Sequence, residues 1–277
     1  MDHEEFNRRL TARIRDLIES FRLIDEGEHI AVALSGGKDS VLTLHVLADL
    51  REELEFELTA ITVDEGISGY REHGLEAARE NARLKKVELI EKSFMDEFGF
   101  GLDDVADGFR SPCIPCGVFR RWILNRTAHE LGASRIATGH NMDDEIQSFT
   151  MSLVRGDVRK FSKFGPSLQR IHPAMVPRIK PLWNTPEREV GIWAVMNQVP
   201  VHLEECPYSH LSMRSGIKGF LNRMESDNPG IKKRIMKSFR RTFRQVEEHG
   251  RIRECIRCGE PSSADLCKAC ELLEDLG

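Results

Sequence analysis

The sequence predicts an α/β fold: a doubly wound parallel sheet, followed by a helical extension and a small zinc module. Three observations carry this. Short apolar runs alternate with helical segments four times between residues 28 and 155, the pattern of a parallel sheet with helices on both faces. Polar, glycine-bearing segments at 35–40, 64–70 and 139–144 fall after the predicted strands, where open α/β sheets bind ligands. Four of the seven cysteines crowd into residues 255–270, too close together for a core of their own.

The elements follow in order. Residues 4–23 place Phe6, Leu10, Ile14, Leu17, Ile18 and Phe21 at helical spacing, predicting an amphipathic helix. "HIAVAL" (29–34) is an apolar run that ends in "SGGKDS" (35–40), so a strand feeds a turn that opens a helix. That helix, over 41–50, is apolar nearly all round and is expected to be buried. "LTAITVD" (58–64) predicts the second strand, 71–85 a helix and "KVELIE" (86–91) the third strand. A helix over 117–131 stops at Gly132. "SRIATGH" (134–140) predicts the fourth strand, and 142–154 a helix with Asp143, Asp144 and Glu145 in its first turn.

Residues 165–186 hold five of the eleven prolines and are expected to form a long, ordered connection to a helix at 187–198. A long basic helix is expected at 230–248, with Ile231, Ile235, Phe239, Phe243 and Val246 inward and the basic residues outward. The expected domains are an N-terminal helix (1–27), the α/β domain (28–205), a basic helical extension (206–250) and a four-cysteine module (251–277).

The apolar fraction of 40% and charged fraction of 31% are those of a soluble globular protein. No stretch of 18 uncharged apolar residues exists, so no membrane span is expected. The start, "MDHEEFNRRL", lacks a signal-peptide core, which predicts a cytoplasmic chain with reduced thiols. Charge is unevenly placed. Residues 155–180 carry seven Lys/Arg against Asp157 alone, and 208–253 carry twelve against four acids, in a chain of net charge −5. Arg240, Arg241 and Arg244 cluster with Lys232, Lys233 and Lys237. Such asymmetry predicts a nucleic-acid surface on an acidic protein.

"SGGKDS" can hold a phosphate. Two glycines let the backbone approach an anion, and the amides at the helix start point at it. Ser35 and Ser40 add hydroxyls, and Lys38 a point charge. It is not a Walker A loop, because Val32 and Asp39 stand where that motif needs Gly and Ser or Thr.

The cysteines form two sets. Cys255, Cys258, Cys267 and Cys270 read C-x2-C-x8-C-x2-C, two knuckles that can place four thiolates around zinc. Cys113, Cys116 and Cys206 remain. An odd set excludes complete disulfide pairing and falls one short of a four-thiolate zinc site. Three thiolates can instead hold three irons of a [4Fe-4S] cluster and leave one iron open. A persulfide relay is the competing chemistry.

"SGGKDS", "DEGISGYR" (64–71), "CIPCGVFRR" (113–121), "ATGHNMDDEIQS" (137–148), "RGD" (155–157), "ECPYS" (205–209) and "LCKACELLE" (266–274) occur in this order. From about residue 28 to the end the chain resembles the tRNA 2-thiolation enzymes of the PP-loop (N-type ATP pyrophosphatase) superfamily, an adenine nucleotide alpha hydrolase-like fold. "CGVFRR" and the terminal motif look most like the archaeal and eukaryotic branch acting on wobble uridine 34; the uridine 54 branch carries Lys at the position of Arg120. Larger members begin with a CxxC/CxxH zinc module, and this chain has none before Cys113.

The resemblance implies the following. ATP and Mg²⁺ are bound by Ser35, Gly36, Gly37, Lys38, Asp39 and Ser40, with Ala33, Val63 and Gly139 against the adenosine and Asp144 in the site. Cys113, Cys116 and Cys206 hold the iron–sulfur cluster, Arg120 sits over the cluster or the phosphates, and the terminal four hold Zn²⁺. Partners are tRNA and a sulfur donor, either free sulfide or a thiocarboxylated ubiquitin-like carrier, and relatives suggest a homodimer. Cytidine 32 and uridine 54 are alternative targets. Tyr70 and Arg71 are candidates to stack on or anchor RNA. Amine-adding PP-loop ligases need no cysteine trio, which argues against them, and a non-enzymatic RNA-binding protein with two zinc sites is the third alternative.

Overall fold

The computed structural model describes residues 2–157, 164–242 and 252–276. Its centre is a five-stranded parallel sheet: β1 (His29–Ala33), β2 (Glu57–Asp64), β3 (Glu88–Ser93), β4 (Arg135–Ala137) and β5 (Arg178–Ile179), in the order β3-β2-β1-β4-β5. Strand side chains alternate between faces. Ile30, Val32, Ala60 and Ala137 enter one core; Ala31, Ile61, Val63 and Ile136 enter the other.

The first core is covered by α1 (His3–Ser20), α2 (Lys38–Leu50), α3 (Arg71–Lys85) and α8 (Glu187–Met196). Helix α1 buries Phe6, Leu10, Ile14, Leu17 and Ile18 as one stripe, whereas Phe21 lies beyond its end, edge-on to Trp183. The second core is covered by α6 (Cys113–Glu130), with Phe94 of the short α4 (Phe94–Phe98), Leu102 of α5 (Leu102–Val105) and the cysteine module. Phe94 and Phe119 are fully buried here; truncating either to Ala should cost about 3–5 kcal/mol.

Four expectations are corrected. Helix α6 starts at Cys113, not at 117. Pro112 and Pro115 sit where the first turn has no helical partner for its N–H groups, so neither breaks it. The third strand begins at Glu88, because Lys86 ends α3 in the left-handed region at φ 52°. The proline-rich connection contributes the fifth strand, with Ile136 of β4 in register with Arg178. The C-terminal extension contains two helices after α7 (Met142–Arg155): α9 (Met213–Asp227) and α10 (Ile231–Thr242). The remainder of the expected basic helix, including Phe243, Arg244 and Val246, lies outside the described residues.

The basic face of α10 is also not wholly outward. Lys232 turns in to Asp143 at 2.5 Å, while Lys233, Arg234, Lys237 and Arg241 stay exposed. No described helix is long and apolar enough to cross a membrane.

The tail comprises β6 (Arg253–Glu254), β7 (Pro261–Ser262) and α11 (Lys268–Asp275). It packs against α6, burying Cys255, Cys267, Cys270 and Leu272 with Ile123, Leu124 and Ala128. Asn125 of α6 donates to Glu260 Oε2 at 2.9 Å and to the Ala174 carbonyl at 2.9 Å, fastening the module to the sheet.

Candidate active site at the carboxyl ends of the strands

The phosphate-type loop leaves β1 and opens α2. The Ser35 N–H donates to Ser40 Oγ at 3.1 Å, and Ser40 Oγ donates to the Gly37 carbonyl at 2.9 Å, so the turn is held from inside. Gly36 has φ +85°, and a Cβ there would stand 2.0 Å from the Gly74 carbonyl oxygen; only glycine fits. A Cβ on Gly139 would stand 2.7 Å from the backbone at Asp39 and Ser40, so glycine lets the end of β4 close on the start of α2.

Lys38 lies between Asp39 (2.7 Å) and Glu187 (3.2 Å). Burial opposes its charge, but the two carboxylates outweigh burial and raise its pKa. Asp39 also accepts from Asn141 at 2.8 Å.

Asn141 and Asp144 cap α7 reciprocally, and Asp144 Oδ1 accepts from Arg214 at 2.9 Å. Burial raises the Asp144 carboxyl to about 6 against the pull of Arg214. Burial, then the fields of Lys180, Arg214, Arg178 and Arg120, lowers His140 to about 3, so its imidazole is neutral. His140 is nonetheless exposed, and Asp144 keeps 29% of its side-chain surface.

The other wall carries the thiols. Cys113 and Cys116 occupy the first turn of α6, and Cys206 arrives on the loop between α8 and α9, where Cys113 Sγ lies 3.5 Å from the Tyr208 carbonyl. All three are partly buried. Among the described residues, only the terminal four gather at the spacing of ligands around one ion. Cys113, Cys116 and Cys206 do not all lie within that spacing, and thiols set wider suit separate irons of one cluster better than a single closed ion. Burial pushes the Cys116 thiol up to about 12.

The two walls are joined. Arg71 is 5% exposed and donates to the Ser35 carbonyl (2.6 Å), the Val63 carbonyl (2.8 Å) and Thr62 Oγ1 (2.7 Å). It also pairs with buried Glu65 at 2.8 Å, and the other Glu65 oxygen accepts from Arg120 at 3.2 Å. Arg120 in turn acts electrostatically on Cys116. Thus Arg71 does not reach out to RNA as the sequence suggested; it is an internal tie. Tyr70 packs on His202 with ring centroids 4.6 Å apart.

Glu65 and His140 are the residues that sequence reasoning left out of the site. Their signal was present, in "DEGISGYR" and "ATGHNMDDEIQS", but the cations that act on them, Arg120 on Glu65 and Lys180, Arg214 and Arg178 on His140, lie far off in sequence.

In the tail, Cys258 Sγ and Cys267 Sγ are 3.6 Å apart, close to the ~3.8 Å edge of a tetrahedron with metal–sulfur bonds of about 2.3 Å. The Cys267 N–H donates to Cys255 Sγ at 3.2 Å. Burial raises the Cys255 thiol, but the amides of Cys267, Cys258 and Arg257 outweigh it and bring it to about 6. This donor set fits one tetrahedral, sulfur-bound ion.

Comparison with known proteins agrees. A family described as the PP-loop domain matches residues 3–218. The tRNA 2-thiolation protein NcsA of Haloferax volcanii is 37% identical over 88% of this chain and 81% of its own length. The tRNA-5-methyluridine(54) 2-sulfurtransferase of Pyrococcus horikoshii is 32% identical, over 97% of this chain and 86% of its own. Among solved structures, the U34-tRNA thiolase NcsA from Methanococcus maripaludis, with its [4Fe-4S] cluster, superposes with a TM-score of 0.86 at 36% identity, covering 99% of this chain and 89% of that one. The loop between β1 and α2, the cysteine wall and these matches are parts of one pattern, and the chain belongs to the PP-loop family of tRNA 2-thiolation proteins.

Proposed function

We propose that this chain is an ATP-dependent tRNA sulfurtransferase that converts wobble uridine 34 to 2-thiouridine. The observation that carries the reading is a chain of contacts: a phosphate-type loop on one side, three thiols on the other, and Arg71, Glu65 and Arg120 linking them. A reaction that first activates a base with ATP and then adds sulfur needs both walls within reach of one bound base. The U34 thiolase match over nearly the whole chain supports position 34.

In this reading the triphosphate lies on Ser35, Gly36, Gly37, Lys38, Asp39 and Ser40, with Ala33, Val63 and Gly139 on the adenosine side and Mg²⁺ as the accompanying ion. Attack of the uridine C2 oxygen on the α-phosphate releases pyrophosphate. Lys38 and the loop amides stabilise the growing charge. Adenylation at O2 removes the N3 proton, and Asp144, ionised above about pH 6, is the carboxylate suited to take it. Sulfur then replaces the adenylated oxygen, N3 is reprotonated, and AMP leaves.

Cys113, Cys116 and Cys206 would hold the [4Fe-4S] cluster. When bound, the cluster supplies an iron without a protein ligand, where donor sulfur can be held. The terminal four cysteines would hold a structural Zn²⁺.

The test is anaerobic purification, metal analysis and nucleoside mass spectrometry after incubation with tRNA, ATP and sulfide. The expected result is about four irons and about one zinc per chain, with 2-thiouridine at position 34. Full activity in iron-free protein would overturn the cluster in favour of a persulfide relay. Sulfur at uridine 54 or cytidine 32 would overturn the position.

A further inference from the structure

Four cations surround His140: Lys180, Arg214, Arg178 and Arg120. Three have a carboxylate partner. Lys180 pairs with Glu145 at 2.9 Å, Arg214 with Asp144 at 2.9 Å and Arg120 with Glu65 at 3.2 Å. Arg178 has none among the described residues, and neither does Arg121, the residue after Arg120.

These two arginines face the same space. Arg121 folds back along α6: its Nη1 lies 3.1 Å from where a Cβ on Gly117 would stand, over the turn that carries Cys113 and Cys116. Arg178 is in register with Ile136, and in-register neighbours point to the same face of a sheet. Ile136 packs in the α6-side core, so Arg178 points to the α6 side as well. Arg178 is half-buried and Arg121 exposed; burial, then the charge of Arg121, lowers the pKa of Arg178. A half-buried guanidinium and an exposed one beside it, neither with a carboxylate partner among the described residues, form an incomplete arrangement. One anion between them would complete it, and the planar fork of arginine matches phosphate oxygens best.

The phosphates of ATP have their own cradle. The SGGKDS loop opens α2, which covers the opposite face of the sheet. A base brought to this end of the sheet, by contrast, carries its flanking phosphates with it. We propose that Arg121 and Arg178 form a subsite for one backbone phosphodiester of the substrate RNA, adjoining the reacting nucleotide on the cysteine side of the sheet. This rests on the tRNA reading above.

The test uses the cluster-loaded protein with Arg121→Gln, Arg178→Gln and the double variant. The double variant should bind tRNA about 10–100-fold more weakly, as expected for losing charge-assisted hydrogen bonds. Its plot of log affinity against log salt should flatten by about 0.7–0.9, the share of one phosphate contact. KM for ATP and iron content should be unchanged. The Arg121→Lys/Arg178→Lys pair should regain the salt slope, since it restores charge without the fork. Wild-type tRNA affinity and salt slope in the double Gln variant would overturn the subsite. A raised KM for ATP with tRNA binding intact would overturn it in favour of the nucleotide's phosphates. If wild-type protein neither binds nor thiolates tRNA, the functional reading fails first, and the proposal falls with it.

Discussion

The two cysteine sets differ in how they are built. The terminal four close within residues 255–270, held by their own amides at the spacing of one ion. Cys113 and Cys116 share a helical turn, but Cys206 lies ninety residues beyond Cys116 and is delivered by a loop after α8. The local set is complete and mostly buried, whereas the assembled set is partly open and wider than the spacing of ligands around one ion. A saturated sulfur site can only hold structure; an unsaturated one can take a reactant. The fold supplies what the open site lacks in local order, through the Arg71–Glu65–Arg120 tie and the packing of the closed module behind it.

Cys206→Ser should give the largest effect: iron and thiolation lost, with ATP binding and the single zinc retained. Iron retention by that variant would break the distinction from the open side. Asp144→Asn should follow, with a rate loss of about 10²-fold or more, as for removal of a positioned acid–base group. The sign of its pH effect follows from the raised carboxyl. Below about pH 6 Asp144 holds its proton and cannot accept another, so the wild-type rate should rise through that pH and then level. The Asn variant should lack that limb in a pH–rate profile.

Cys258→Ser should act on stability instead. Loss of the metal should lower the melting temperature by on the order of 10 °C, given about 2–4 °C per kcal/mol in a chain of this size. Thiolation should fall only in part at low temperature. An unchanged melting temperature with all iron lost would reverse the assigned roles. Glu65→Gln should be smallest, about 2 kcal/mol by denaturant titration, because the amide keeps a hydrogen bond while two guanidiniums lose their charge partner. It should raise KM for ATP and loosen the cluster together; a response at one wall alone would show that the tie does not join them.

What could be read from sequence follows the range of the interactions. β1 and β2 are buried on both faces, so their apolar runs stood out. β5 has two residues between Pro177 and Pro181, too few for any periodicity, and its pairing with β4 is set by topology. Helix α9 buries only Leu221 fully, so its stripe was faint. The terminal knuckles were legible because ligand spacing is local. Glu65 was not: its value lies in standing between Arg71, six residues on, and Arg120, fifty-five residues on. Lys232 was misread for the same reason, because its partner Asp143 belongs to a helix eighty-nine residues away.

The docking of α11 on α6 also orders events during synthesis. Ile123, Leu124 and Ala128 are made early, yet the residues that cover them, Cys255 to Leu272, are made only after the rest of the sheet. Throughout translation of the intervening chain, the helix bearing Cys113 and Cys116 has an uncovered apolar back, and Cys206 appears only part of the way through it. The helix bearing the first two thiols is therefore backed only once the module has emerged, and a chain cut before it exposes a sticky helix.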